Sequence, residues 1–178
     1  MDRNGDHDDP VLTAMPPGRG KQRLRTGIDV EDLKHPVVCE ALALWQGLCG
    51  ERRMPPRSKV TPRMLRGFLK YAALIEVIDD GRDYRFRVSG DAVNQQQGMP
   101  LQGMTIADID AHAPGYGSHL KRVYGRLLRR REPLAYRGIY FRPTDRHTFS
   151  HECVMLPLGE DGETMDHFLL VSVDAAEH

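Results

Sequence analysis

Two stretches decide how this chain folds: Trp45 with the following Gly50-Glu51-Arg52-Arg53-Met54-Pro55-Pro56-Arg57, and Tyr84-Arg85-Phe86-Arg87-Val88-Ser89-Gly90. In the first, Gly50 stops a helix, and the two prolines force an extended segment after it, because proline excludes the α region for the residue before it. The second alternates large apolar and charged residues at period two, which marks a strand. Working back from Trp45, Pro36 is a good first helical residue, since its missing N–H has no helical partner at that position. Val37, Ala41, Leu44, Trp45 and Leu48 then recur at three- and four-residue steps. Val38, Leu42 and Cys49 widen this stripe to almost half the circumference, more than one packing partner requires. The helix is expected to cover its own domain with one edge and a second subunit with the other. Val38, Leu42, Trp45 and Cys49 are thus the candidate residues of a dimer and signal helix.

Outward from the second stretch, Tyr71 to Asp79 and Arg82 to Gly90 form a hairpin around Asp80-Gly81. Between the two stretches, Thr61-Pro62 opens a short helix with Leu65, Phe68 and Leu69 on its apolar side. Residues 91 to 114 are loop-rich, broken by Gly98, Pro100, Gly103 and Pro114, and a longer helix follows over Gly117 to Arg131. Three strands close the chain: Leu134–Phe141, His147–Leu158 and His167–Val173. Five antiparallel strands with helices grouped to one side make an α+β domain. The expected division is a disordered arm over 1–28, a helical cap over 29–70, and the main domain over 71–174.

Bulk properties exclude several classes. The 178 residues carry 25 basic and 25 acidic side chains, so wholesale nucleic-acid binding is disfavoured. No run approaches the roughly 18 apolar residues of a membrane span, and the polar start Met1-Asp2-Arg3-Asn4-Gly5-Asp6 lacks a signal-peptide core. Cys39, Cys49 and Cys153 have no Cys-x-x-Cys spacing, and the first two lie about 15 Å apart along one helix, so buried thiols in a reducing cytoplasm are expected. In the arm, Asp2, Asp6, Asp8 and Asp9 give way to Arg19, Lys21, Arg23 and Arg25. That pattern fits a solvated tail or a charge-patterned docking segment.

The element order resembles the PAS fold: a hairpin, a helical crossover ending in one longer helix, then a three-strand meander. Trp45, Arg53-Met54-Pro55-Pro56-Arg57 and Pro62 with Leu65 resemble the N-terminal cap of a bacterial PAS branch, often built as stand-alone domains. Tyr84 to Gly90 resembles its second strand, an aromatic-Arg-x-x-Gly pattern, Gly98 and Gly103 fit the loop after it, and Leu156-Pro157-Leu158 fits the end of the fourth strand. Asp91 departs from the family's usual Thr after the strand-two Gly. The resemblance spans residues 33 to 174. It implies a sensor of small molecules or proteins, with a pocket between sheet and crossover. Only Asp174 to His178 follow Val173, so signalling in trans, to an unidentified signalling protein, is expected.

Cofactor and metal chemistry find little support. The flavin-binding relatives need a reactive Cys in the crossover, and residues 91 to 116 contain none, so flavin is rejected. Haem needs an axial His. His119 is the candidate, but the stripe Leu120, Val123, Tyr124, Leu127 and Leu128 leaves it toward the charged side, where a solvated or capping role is expected. His112 has the same standing. His147 and His151 sit about 13 Å apart on one strand face, too far to share a zinc. Asp108-x-Asp110-x-His112 lacks the Gly and Glu of a calcium loop. Alternation gives the pocket candidates: Phe86 and Val88, with Tyr84, on one strand; Tyr136 and Tyr140 on the next; His151, Cys153 and Met155, with Phe149, on another. Arg122, Arg126 and Arg129, on the basic side of the long helix, are anion-contact candidates or a solvated face. The expected protein is a non-enzymatic sensor or adaptor. The alternatives are a small α+β enzyme working through His151 and Tyr140, or a nucleic-acid regulator using the basic helix.

Overall fold

The computed structural model describes residues 25–145 and 147–175. They fold as β1 (Arg25–Ile28), α1 (Pro36–Cys49), β2 (Ala72–Ile78), β3 (Asp83–Ser89), α2 (Asp91–Gln97), α3 (Ile106–His112), α4 (Tyr116–Arg130), β4 (Leu134–Phe141), β5 (Thr148–Leu158) and β6 (His167–Asp174). The strands form one antiparallel sheet in the order β1-β4-β5-β6-β2-β3. The α+β expectation holds, with six strands in place of five. The added strand is β1, whose residues fall in the expected arm and pair with β4 from Arg25↔Gly138 to Ile28↔Ala135. Four residues are too short for alternation to show, and pairing with β4 supplies what their own pattern lacks. The rest of the arm lies outside the described residues.

The sheet buries both faces. Across its outer face lies α1, which ends at Gly50 with φ 58°, a left-handed value that favours glycine. Val38 and Ala41 are fully buried, and the Trp45 indole Nε1–H donates to the Pro157 carbonyl on β5 at 2.7 Å. Val38 and Trp45 therefore belong to the chain's own core, which corrects their placement at a subunit interface. The broad stripe is used up by two neighbours, β5 and β6, while Leu42 and Cys49 stay half-buried. The Thr61-Pro62 helix is instead a run of hydrogen-bonded turns, which still buries Leu65 and Phe68 but leaves Leu69 exposed. No helix among the described residues is long and apolar enough to cross a membrane.

One buried carboxylate ties the cap to the sheet. Glu152 on β5 accepts from the N–H groups of Lys34 (2.9 Å) and His35 (2.8 Å) and from Arg137 Nε (2.7 Å). Arg137 also donates to the Asp32 carbonyl. Burial works to raise the Glu152 pKa, and these donors outweigh it, so the carboxyl lies below its ordinary value. Gly90 shows why the strand-two motif ends in glycine: a Cβ there would meet the carbonyl oxygens of Leu69 and Lys70 at 2.3 Å.

Candidate functional site

On the inner face, α4 is set by its first turn. Asp110 at the end of α3 accepts from the N–H groups of Gly115 (3.0 Å) and Gly117 (2.8 Å). Gly117 lets the two helices close, since its Cβ would lie 2.6 Å from that of Asp110. Asp108 and Thr105 cap α3 reciprocally, and the Thr105 backbone and side-chain hydrogen bonds hold the Asp108 carboxyl below its usual value. His112 Nδ1 lies 2.8 Å from the Asp108 carbonyl. The Asp108-Asp110-His112 triplet is thus helix-capping and turn structure, and no group of three metal-ligating side chains occurs among the described residues.

This turn aims Tyr116 and His119 at the sheet. They face Gln96 of α2, Tyr140 of β4, His151 of β5 and Ser172 of β6 around a cavity of about 30 Å³, room for one or two waters. All six are at least nine-tenths buried, with His119 3% exposed and His151 4% exposed. Ser172 Oγ donates to Gln96 Oε1 at 2.6 Å, and His151 Nε2 lies 2.8 Å from the same Oγ. A hydroxyl has one proton, so with Ser172 donating to Gln96 the His151 nitrogen must be the donor. That assigns the Nε2–H tautomer to a neutral His151. The Tyr116 and Tyr140 hydroxyls are hydrogen-bonded at 2.8 Å. The His119 ring stacks on Tyr116 at 6.2 Å, and the His151 ring tilts against Tyr140 at 5.5 Å.

Of the pocket candidates, Tyr140, His151, Cys153 and Met155 do line this cavity. Phe86 and Tyr136 are buried, but neither lines it, and Tyr136 borders a separate groove. Val88 is on the opposite face. Register runs Leu74↔Val88 and then Ile75↔Phe86, leaving Arg87 as an extra residue in a β-bulge. One inserted residue reverses the alternation, so Val88 turns outward and is 40% exposed while Phe86 stays inside. His119 is the other correction: it is buried and faces the sheet, not the charged side. Tyr116 and His119 stand in helical register with Leu120, Val123 and Leu127, so the stripe begins one turn earlier than the aliphatic residues alone suggest.

Gln96, Tyr116 and Ser172 are site residues that sequence reasoning misses. Ser172 is legible by alternation with Leu170 and Phe168, whereas Gln96 is one of three consecutive glutamines with no pattern to single it out. Below the cavity, Tyr124 packs edge-on against Phe168 and Tyr84 at 4.8 and 5.2 Å. The buried Tyr84 hydroxyl has no hydrogen-bond partner among the described residues, and burial pushes its pKa up.

The arginine candidates do not converge. Arg122 and Arg129 are exposed. Arg126 lines a groove of about 340 Å³ that also holds Asp29, Glu31 and Glu132, a mixed environment with no preference for anions. His147 is exposed and precedes β5, so it does not accompany His151. None of Cys39, Cys49 and Cys153 is in a disulfide, and only Cys153 is buried, Cys39 and Cys49 being half-buried because their side of α1 is not fully covered.

No curated protein matches the chain. Among solved structures, it is similar to one described as the structure of an RNA-binding light-oxygen-voltage receptor, at 17% identity and a TM-score of 0.45. That alignment covers 68% of this chain and 36% of the receptor, so the chain spans about a third of that protein's length. A family model described as PAS domain matches residues 33–171. That match includes both stretches that set the cap and the hairpin, and on it the chain belongs to the PAS domain family.

Proposed function

We propose that this PAS-type sensory domain binds a small hydrogen-bonding molecule at the inner cavity and, without catalytic turnover, reports it to a protein partner in trans. The observation that carries the reading is the convergence of Gln96, Tyr116, His119, Tyr140, His151 and Ser172, all almost fully buried, on one cavity. Polar groups in a core cost stability relative to apolar ones, and this fold does not need six of them in one place. At its present volume the cavity holds only water, so a larger ligand enters by moving α2 or α4 away from the sheet. A ligand that favours the moved arrangement shifts the population toward it.

Strand β5 is the route outward. Its inner residues His151, Cys153 and Met155 line the cavity. The alternate residue Glu152 and the Pro157 carbonyl hold the start and the middle of the cap helix. A displacement of β5 therefore reaches α1, which presents Leu42 and Cys49 as its half-buried, partner-facing residues. The chain has a single tryptophan, Trp45, bonded to that strand, so its fluorescence reads the coupling directly. Native mass spectrometry of freshly purified protein, with a visible absorption spectrum, should show a bound mass that Ser172→Val removes, and its removal should shift the Trp45 emission. A bound mass whose loss leaves that emission unchanged sinks the coupling, and binding that survives Ser172→Val sinks the site.

A further inference from the structure

A second groove lies on the outer face of the sheet beside β2 and β3. Leu74, Val88 and Leu169 line it from the sheet, and Val60, Leu65 and Leu69 line it from the turns of the cap. Among the described residues, three of the four exposed large apolar side chains are here or on the adjoining turn: Val88 at 40%, Met64 at 37% and Leu69 at 36%. The bulge at Arg87 puts Val88 there; without it the residue would point into the core. The surroundings are strongly basic. From residue 52 to 75 the chain carries Arg52, Arg53, Arg57, Lys59, Arg63, Arg66 and Lys70, and no Asp or Glu. Arg57 lines the groove itself, held by a 3.2 Å bond to the Val60 carbonyl. Three acids do approach this segment: Glu160 on Ser58, Glu40 beside Gly67, and Glu132 at 3.6 Å from Arg53.

In a chain of zero net charge this excess has its complement elsewhere. Part of it stands in the first nine residues, a local cluster of Asp2, Asp6, Asp8 and Asp9 with Arg3, which Val11, Leu12 and Met15 follow directly, ahead of the basic Arg19, Lys21, Arg23 and Arg25 of the tether. We propose that the outer groove is a docking site for an acidic-flanked apolar segment, and that its occupant is the same chain's Asp6-His7-Asp8-Asp9-Pro10-Val11-Leu12-Thr13-Ala14-Met15. Val11, Leu12 and Met15 supply the apolar side chains, and the three aspartates meet the cation-rich rim. The tether is long enough. Ten residues from Met15 to Arg25 span up to about 35 Å, against about 24 Å for the five strand spacings between β1 and β3. A concave apolar floor takes in a protruding side chain, whereas a bilayer needs apolar groups that protrude from the protein. A partner protein carrying the same acidic-apolar pattern would have to displace the arm, which makes the arm a competitor for that surface. This inference is independent of the inner cavity, because it predicts no bound mass and no change at Trp45.

Methyl-resolved NMR on the full chain, labelled at Met, Leu and Val, tests it. Contacts are expected from the Leu12 or Met15 methyls to those of Leu69 or Val88. They should fall at least threefold in the Asp6→Asn/Asp8→Asn/Asp9→Asn variant and in about 0.5 M NaCl, where the Debye length shrinks to roughly 4 Å. Val88→Asp, at an exposed position, should remove them while the Tyr84 and Phe168 ring signals stay in place. Absent contacts, with groove methyl shifts identical in the wild type and the triple-Asn variant, overturn the proposal. So do contacts seen only between differently labelled copies and lost on dilution, which assign the groove to a second copy. Binding to vesicles containing phosphatidylserine in place of arm contacts overturns it in favour of a membrane surface.

Discussion

Strand β5 buries Glu152 on its outer face and His151 on its inner face, and the two are held differently. On the outer face Glu152, 1% exposed, accepts from two backbone N–H groups and a guanidinium. On the inner face His151, one residue earlier, is hydrogen-bonded to the Ser172 hydroxyl, which in turn donates a hydrogen bond to the Gln96 carboxamide oxygen. A carboxylate with three converging donors has one favourable arrangement. A line of neutral groups has several, because hydroxyls rotate and imidazole has two tautomers. The outer face is a fixed clamp and the inner face an adjustable set, joined through a single backbone.

That contrast sets the order of the expected effects. Trp45→Ala should be the most damaging, costing about 3–5 kcal/mol as a large buried side chain is lost and the Pro157 carbonyl loses its donor. Urea denaturation checks it, and a loss below about 1 kcal/mol would mean that α1 is not part of the outer face. Glu152→Gln comes next, at about 1–3 kcal/mol for hydrogen bonds to a charged group. The sign of its pH dependence follows from the lowered Glu152 pKa. The stabilisation is present above the unfolded carboxyl value of about 4.3 and is lost as pH falls through the lower folded value. The gap between wild type and Glu152→Gln, followed by thermal unfolding from neutral to acid pH, should therefore close only below the ordinary glutamate range. Tyr140→Phe should cost least, about 1 kcal/mol, because Tyr116 loses one neutral partner while the packing remains. If Tyr140→Phe unfolds the protein as badly as Trp45→Ala, the inner face is as fixed as the outer.

Legibility in the sequence followed the same division. The cap helix and the first hairpin were readable, since Pro36, Gly50 and the turn around Asp80-Gly81 mark element ends by backbone chemistry alone. The inner site was half readable. Tyr140, His151, Cys153 and Met155 follow from period-two alternation, which holds along β4 and β5 because their register is unbroken. Val88 fails because a bulge is a property of the strand pair, and nothing in the sequence around Arg87 announces it. His119 fails because burial of a polar helix position depends on what sits opposite, here Tyr116 and the sheet. Strand β1 fails because its pairing is supplied by a partner far along the chain.

That last pairing bears on the order in which the protein can be made. Ile28 is matched to Ala135, more than a hundred residues later, so β1 emerges from the ribosome long before β4, its one neighbouring strand among the described residues, exists. Closing so long a loop carries an entropic penalty that grows with its length, and non-local pairings of this kind slow folding. The edge of β4 stays open until β1 arrives, leaving backbone groups available to other chains. The first strand of the sequence is thus among the last to be fitted, and the nascent chain is most exposed to misassembly in that interval.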